Sequence, residues 1–365
     1  MVLRVLVCFS FLVFFLITFL ADSYMLSIQE YAEYFGSDEK IIYTHASNFI
    51  ESGSLTTIAP KFWVSSLLIA LTSQFSAYAL LILFILKFMF YLFSVHILLG
   101  TIRKYVRKQP LYLYAAFLYL NPVFHKYHTT LLRDDLILSA SLIFVALSIQ
   151  MFDQNLFSGK TRNLVTSFFL LAILVFIFGL RPELFLLFFV FLFLCFFVFS
   201  SSLVRFGLAG LAGIFLLNFF EIILQFYSFA LSQFRGLSLF NIIEAFKVFY
   251  LSPAPWNITM IADVETDASK AYMWFYASFF TTLISFVLLL KCAIQRKLTM
   301  FKFRADNPIG IWFLYMPIFI TVCFGVMAGS NILGPRQGMI PSALLTLIFL
   351  IILVFELSPK NSSKG

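Results

Sequence analysis

Long apolar runs separated by short polar interruptions set the rhythm of this chain from its first residues. A helix needs roughly 20 mostly apolar residues to cross the hydrocarbon of a bilayer. Runs at 4–21, 77–100, 111–122, 136–151, 164–180, 184–203, 207–225, 272–291, 309–328 and 338–355 therefore predict about ten spans. The run at 111–122 is short and stops at Asn121-Pro122, so a broken or re-entrant helix is expected there. Segment 61–72 is expected to lie at the interface or to enter partway. The first run follows Arg4 and has no small-x-small cleavage site, which favours a retained helix over a signal peptide. No internal repeat or low-complexity tract interrupts the pattern. The expected fold is all-α, a polytopic integral membrane protein forming one membrane domain over 1–365.

Composition agrees with the pattern. Apolar residues make up 62% of the 365 and charged ones 12%. An ordinary soluble chain is about 25% charged. Too few charges are present to cover a soluble surface. The formal charge of +8 invites a nucleic-acid partner, but the basic residues sit in short clusters between apolar runs, and no nucleic-acid partner is expected. With the N-terminus inside, the inner loops hold Arg4, Arg103, Lys104, Arg107, Lys108, Lys160, Arg162, Arg205, Lys291, Arg296, Lys297, Lys302, Arg304, Lys360 and Lys364. Only Asp153, Asp306 and Glu356 accompany them as acids. That asymmetry follows the positive-inside rule and puts both termini on the cytoplasmic side. Outside then lie long segments at 22–60 and 226–270 and a shorter one at 123–135, and polar loops on one face are where a site is sought. Cys8, Cys195, Cys292 and Cys323 all fall in or beside apolar runs, so no disulfide framework is indicated.

Five constellations carry chemistry on the outer side. In Ser37-Asp38-Glu39-Lys40, a helix starting at Ser37 would gain from acids near its positive end, and Glu39 and Tyr43 would share a face. A carboxylate there can act as general base or orient a hydroxyl, and an acidic surface helix is the plainer alternative. In 121–135, His125, Lys126, His128, Arg133, Asp134 and Asp135 break what should be membrane, and such groups persist by pairing or by lining a wet cavity. Arg133 with Asp134 or Asp135 reads as a structural pair at a helix start. His125 and His128 alone are a weak metal signal, and no metal site is expected from them. Arg181-Pro182-Glu183 joins two spans, where the guanidinium either holds a phosphate bidentately or snorkels to headgroups. Ser252-Pro253-Ala254-Pro255-Trp256-Asn257 precedes an acidic stretch, and Trp256 suits stacking on a sugar ring or belt duty. Last, Arg336 is the only charge from Asn307 to Phe355, an isolated cation at the mouth of two apolar helices.

The ordering of these features resembles the GT-C-type polytopic glycosyltransferases and the O-antigen or capsule polymerases of bacterial polysaccharide clusters. The residues carrying the resemblance are Asp38-Glu39, Tyr43 and Ala46; Asn121-Pro122 with Arg133-Asp134-Asp135; Pro253-Ala254-Pro255-Trp256; and Asn331, Gly334 and Arg336. It implies a multi-pass protein of the bacterial inner membrane that transfers a sugar or oligosaccharide from a polyprenyl-phosphate-linked donor to an acceptor hydroxyl on the periplasmic side. Asp38, with Glu39 second, becomes the base. Arg336, Arg181 and Arg133 face the lipid phosphate, while Tyr43, Asp134 and Trp256 help bind substrate. The implied partners are a polyprenyl-linked saccharide, membrane lipid and other polysaccharide-assembly proteins, and a divalent cation stays open as cofactor. The chain departs from the family in its less distinct paired acids and in lacking a separate soluble domain. Two alternatives stand beside transfer of single sugars: repeat-unit polymerisation, and flipping or transport of a lipid-linked glycan. A transporter would need charges along a central path, and Lys87, with His96 and Glu221, is what the spans offer.

Overall fold

The computed structural model describes residues 1–20, 26–35, 37–75, 78–103, 108–153 and 160–199, with single positions at 280, 283, 284, 287 and 343. Among the described residues every regular element is helical: α1 (Val2–Leu20), α2 (Ile28–Phe35), α3 (Ser37–Ser52), α4 (Trp63–Ser73), α5 (Ala79–Ile102), α6 (Lys108–Leu120), α7 (Pro122–His128), α8 (Asp134–Asp153), α9 (Lys160–Phe178) and α10 (Pro182–Phe199). Two single 3-10 turns, Leu55–Thr57 and Pro60–Phe62, lead into α4. The runs at 207–225 and 309–328, the segment 226–270, Trp256 and Arg336 lie outside the described residues, as do all but single positions of 272–291 and 338–355.

Three of these helices are long and apolar enough to cross a membrane: Val2–Phe19 within α1, Ala79–Ile102 and Asp134–Met151 within α8. They match the runs expected at 4–21, 77–100 and 136–151. Shorter apolar stretches occupy Leu111–Leu120, Val165–Phe178 and Leu184–Phe193. The spans differ in role. Of the α8 window 83% is buried inside the protein, but of the α1 window only 22%. Helix α8 is the centre, packed on α5 and α9, while α1 lies on the flank against α6 and α7. Helix α1 buries Ser10, Phe14 and Ile17, at i, i+4 and i+7, and turns Phe9, Leu12, Phe15 and Phe19 outward. Phe14 stacks on Phe88 of α5 with centroids 4.2 Å apart. At the other end of the chain, Ala343 is fully buried, and its carbonyl accepts a 3.1 Å hydrogen bond from Tyr114 of α6.

The expected break at Asn121-Pro122 is present, and local chemistry accounts for it. Proline has no N–H and its ring blocks a continuous helix. Asn121 adopts an extended conformation, its side chain accepts from the Val123 N–H at 3.0 Å, and Pro122 opens α7. Beyond this break the segment 123–135, read as a polar stretch, is largely helical and buried. Residues 122–128 form buried α7, and Asp134 and Asp135 already belong to the first turn of α8, where the positive helix end suits them.

Segment 61–72 supplies most of α4, a helix of 11 residues. At the rise of an α-helix this spans about 16 Å, too short for a hydrocarbon core of about 30 Å. Its start is tied to the end of α9. The Val64 N–H donates to the Gly179 carbonyl at 3.3 Å, and a Cβ at Gly179 would lie 2.9 Å from Val64 Cγ2. Only a residue without a side chain permits that approach. Trp63 completes the corner, its indole N–H pointing at the Leu55 and Ile58 carbonyls at 3.1 and 3.0 Å.

Candidate functional site

The polar residues of the described region fall into two connected groups, one at the ends of helices and one buried among the spans. The first gathers around Phe62. His45, on α3, stacks on its ring with centroids 4.4 Å apart. The Arg133 guanidinium lies 4.8 Å from the ring centroid and Lys61 Nζ 5.0 Å, both in cation–π range. Arg133 also donates to the Lys61 carbonyl. The next residue, Asp134, faces Arg181 with 4.0 Å between carboxylate and guanidinium. Arg181 is placed by the α9–α10 turn, its carbonyl accepting from Leu184 and Phe185 to open α10. Elements distant in sequence, α3, the entry to α4, the start of α8 and the start of α10, thus bring His45, Phe62, Arg133, Asp134 and Arg181 together.

Helix α3 begins at Ser37, as the pattern predicts, with Asp38 and Glu39 in its first turn. Glu39 is buried, which an acidic surface helix would not require. Its charge acts on Lys126 of α7 and on Lys87 of α5. Tyr43, one turn on, reaches Gln29 at 3.5 Å. Tyr31 donates to the Thr129 carbonyl at 2.8 Å. Burial first, and the Glu39 charge second, hold the Tyr31 phenol well above the ordinary range, so it stays a neutral donor. Burial, then the nearby Lys61, hold His45 below its ordinary range, and its Nδ1 is buried without a hydrogen-bond partner.

The second group lies inside. Lys87 belongs to α5, which starts at Ala79. Eight residues of helix place it about 12 Å along the axis from that start. Its Nζ donates to the carbonyls of Tyr127, Thr130 and Leu132 at 3.2, 2.5 and 2.9 Å. Asp135 Oδ1 stands 3.1 Å from the same ammonium, and Asp135 Oδ2 is 3.0 Å from His128 Nδ1. The ammonium thus has three carbonyls and one carboxylate oxygen within reach of its three N–H donors, and Asp135 balances its charge. Asp135 and His128 are fully buried and Lys87 is 3% exposed. His125 Nε2 is 2.7 Å from the Tyr119 carbonyl and 3.5 Å from Ser10 Oγ. Tyr91 lies against His128 with centroids 4.7 Å apart and donates to the Leu118 carbonyl at 2.5 Å.

Of the residues singled out in the sequence, Arg133, Asp134 and Arg181 are neighbours, while the Glu39 charge acts on Lys126 and Lys87. The described part of Asp38 is its backbone in α3. The Asp135 carboxylate is held by Lys87 and His128, in place of the expected Arg133. Sequence reasoning noticed Lys87 as a charge within a span without finding its partner, and it passed over Phe62 entirely. A lysine in one span and an extra carboxylate at the start of another was the signal available. Among the described residues no group of three or more His, Cys, Asp or Glu side chains could hold a metal ion. Comparison with known proteins places the chain in no family: no family model, no curated protein and no solved structure matches it.

Proposed function

We propose that this chain is an inner-membrane enzyme of bacterial cell-surface polysaccharide assembly, moving a sugar or oligosaccharide from a polyprenyl-phosphate-linked donor to an acceptor hydroxyl at the periplasmic face. The observation that carries the reading is the meeting of Arg133, Asp134 and Arg181 at helix ends beside Phe62 and α3. One guanidinium facing a carboxylate and a second lying on an aromatic ring offer donors for a phosphate and an apolar face beside them. The buried Glu39, with Asp38 next to it, supplies the carboxylate that deprotonates or orients the acceptor. The arginines, joined by Arg336, stabilise the departing lipid phosphate, where charge develops in the transition state. Trp256 stacks on the sugar and Tyr43 lines the acceptor side. In this reading the chain has about ten spans with both ends cytoplasmic, and the positive-inside distribution of its basic residues supports an outward-facing site.

The test is gel analysis of surface polysaccharide from a deletion strain carrying wild type, Glu39→Ala, Arg181→Ala or Arg336→Ala. Each substitution is expected to lower product about tenfold or more at equal protein level. Loss of long chains with single capped units retained makes the protein the polymerase. Chains that lose a branch sugar make it a single-sugar transferase. Wild-type polysaccharide in the deletion strain sinks the proposal. One observation favours a second reading, transport of a lipid-linked glycan: Lys87, Asp135 and His128 form a charged group among the spans. Accumulation of complete lipid-linked units on the cytoplasmic side of the deletion strain would support it.

A further inference from the structure

We infer that Lys87 is the positioning residue of the outer site, acting from within α5 as the core around which the α7–α8 turn is folded. Helix α7 ends at His128 and α8 starts at Asp134, so the carbonyls of the last turn of α7, Tyr127 among them, and those of Thr129 to Leu132 have no helical partners. At membrane depth such backbone persists only when protein groups satisfy it. Here they do. Lys87 takes Tyr127, Thr130 and Leu132, and Tyr31 takes Thr129. His128, the last residue of α7, and Asp135, the second of α8, close the turn at its base through their 3.0 Å contact. The turn is therefore a ring of inward carbonyls with an ammonium at its centre and a carboxylate balancing the charge.

The consequence for the site follows from connectivity. Leu132, held by Lys87, is followed directly by Arg133, which reaches Phe62 and the Lys61 carbonyl, and by Asp134, which faces Arg181. A shift of Leu132 moves both. A compact ammonium suits the turn because it brings three donors and no acceptor to one point among three oxygens. The pair Lys87–Asp135 has a direction: acid and base exchanged would keep the charge balance but set a carboxylate against three carbonyls.

That asymmetry provides the test, whose activity arm rests on the proposed transferase function and whose structural arm does not. A cysteine is placed at Leu132, which is 9% exposed, in the full chain with its four cysteines replaced by alanine, and labelled with a membrane-impermeant maleimide. Lys87→Met and the exchange Lys87→Asp with Asp135→Lys are each expected to raise labelling about tenfold. Asp135→Asn, which leaves the lysine donors in place, raises it less. In the same strains Lys87→Met lowers polysaccharide about tenfold or more per folded protein, as misplacement of binding groups by an ångström does. If Lys87→Met is not recovered from membranes, the exchange against Asp135→Asn decides alone. Labelling at the wild-type level in Lys87→Met, or restored by the exchange, overturns the inference. Raised labelling together with wild-type polysaccharide in Lys87→Met overturns the positioning role, whereas wild-type polysaccharide in the deletion strain removes the transferase reading and leaves the labelling to decide.

Discussion

Asp134 and Asp135 are consecutive residues of one helix, yet they live in different electrostatic worlds. Successive helical positions point about 100° apart, so one carboxylate turns to the rim and the other to the core. Asp134 meets Arg181 at 4.0 Å, with their side chains 12% and 29% exposed. Asp135 meets Lys87 at 3.1 Å and His128 at 3.0 Å, with nothing of either partner left to solvent beyond 2%. The inner pair is locked by geometry and by the cost of leaving a charge unpaired in an apolar medium. The outer pair is longer and partly wet. A buried, locked charge and a partly exposed one stand here on adjacent residues.

The largest break in this comparison is Asp135→Ala. It strands the Lys87 ammonium among the spans, and removing one partner of a buried pair costs about 3–5 kcal/mol. Heat-induced loss of folded protein in detergent should show it as a steep fall in transition temperature, with no rescue by salt. Next comes Gly179→Ala, which tests how firmly the entry to α4 holds the Phe62 side of the outer group. The new methyl meets Val64 Cγ2. Overpacking of this kind costs about 1–3 kcal/mol. Val64→Ala in the same chain should restore most of the loss in the same assay. The smallest effect belongs to Asp134→Ala, which removes a partly exposed pair at 4.0 Å. Such a pair contributes less than about 1 kcal/mol, discounted further by solvent screening. Its melting should match wild type, and any change in product formation then reports function and not stability.

Much of the framework was legible before any coordinates. Continuous apolar runs marked α1, α5 and α8 because crossing hydrocarbon requires length and apolarity together, and both are written in consecutive residues. The Asn121-Pro122 break was legible for a similar reason, since a missing N–H and a capping side chain act within three residues. In segment 123–135 the need for pairing and the helix start were legible, but the identity of the partners was not. Part of that segment is matched by Lys87, far earlier in the chain, and pairing across such a separation leaves no periodic trace. Phe62 escaped notice because an isolated aromatic is common in such a chain, with 51 phenylalanines.

Sequence by itself therefore determined the solvent for which this protein is built, the all-helical response to it among the described residues and the place where one helix stops. These are local or cumulative properties, each decided by hydropathy, propensity or a count of charges. Only the tertiary structure decided which carboxylate would be buried, that a lysine of α5 would fill the turn between α7 and α8, and that Arg133 would settle on Phe62 while Asp134 faced Arg181. Those choices depend on helix phase and on the approach of distant segments, where a rotation of about 100° exchanges core for rim.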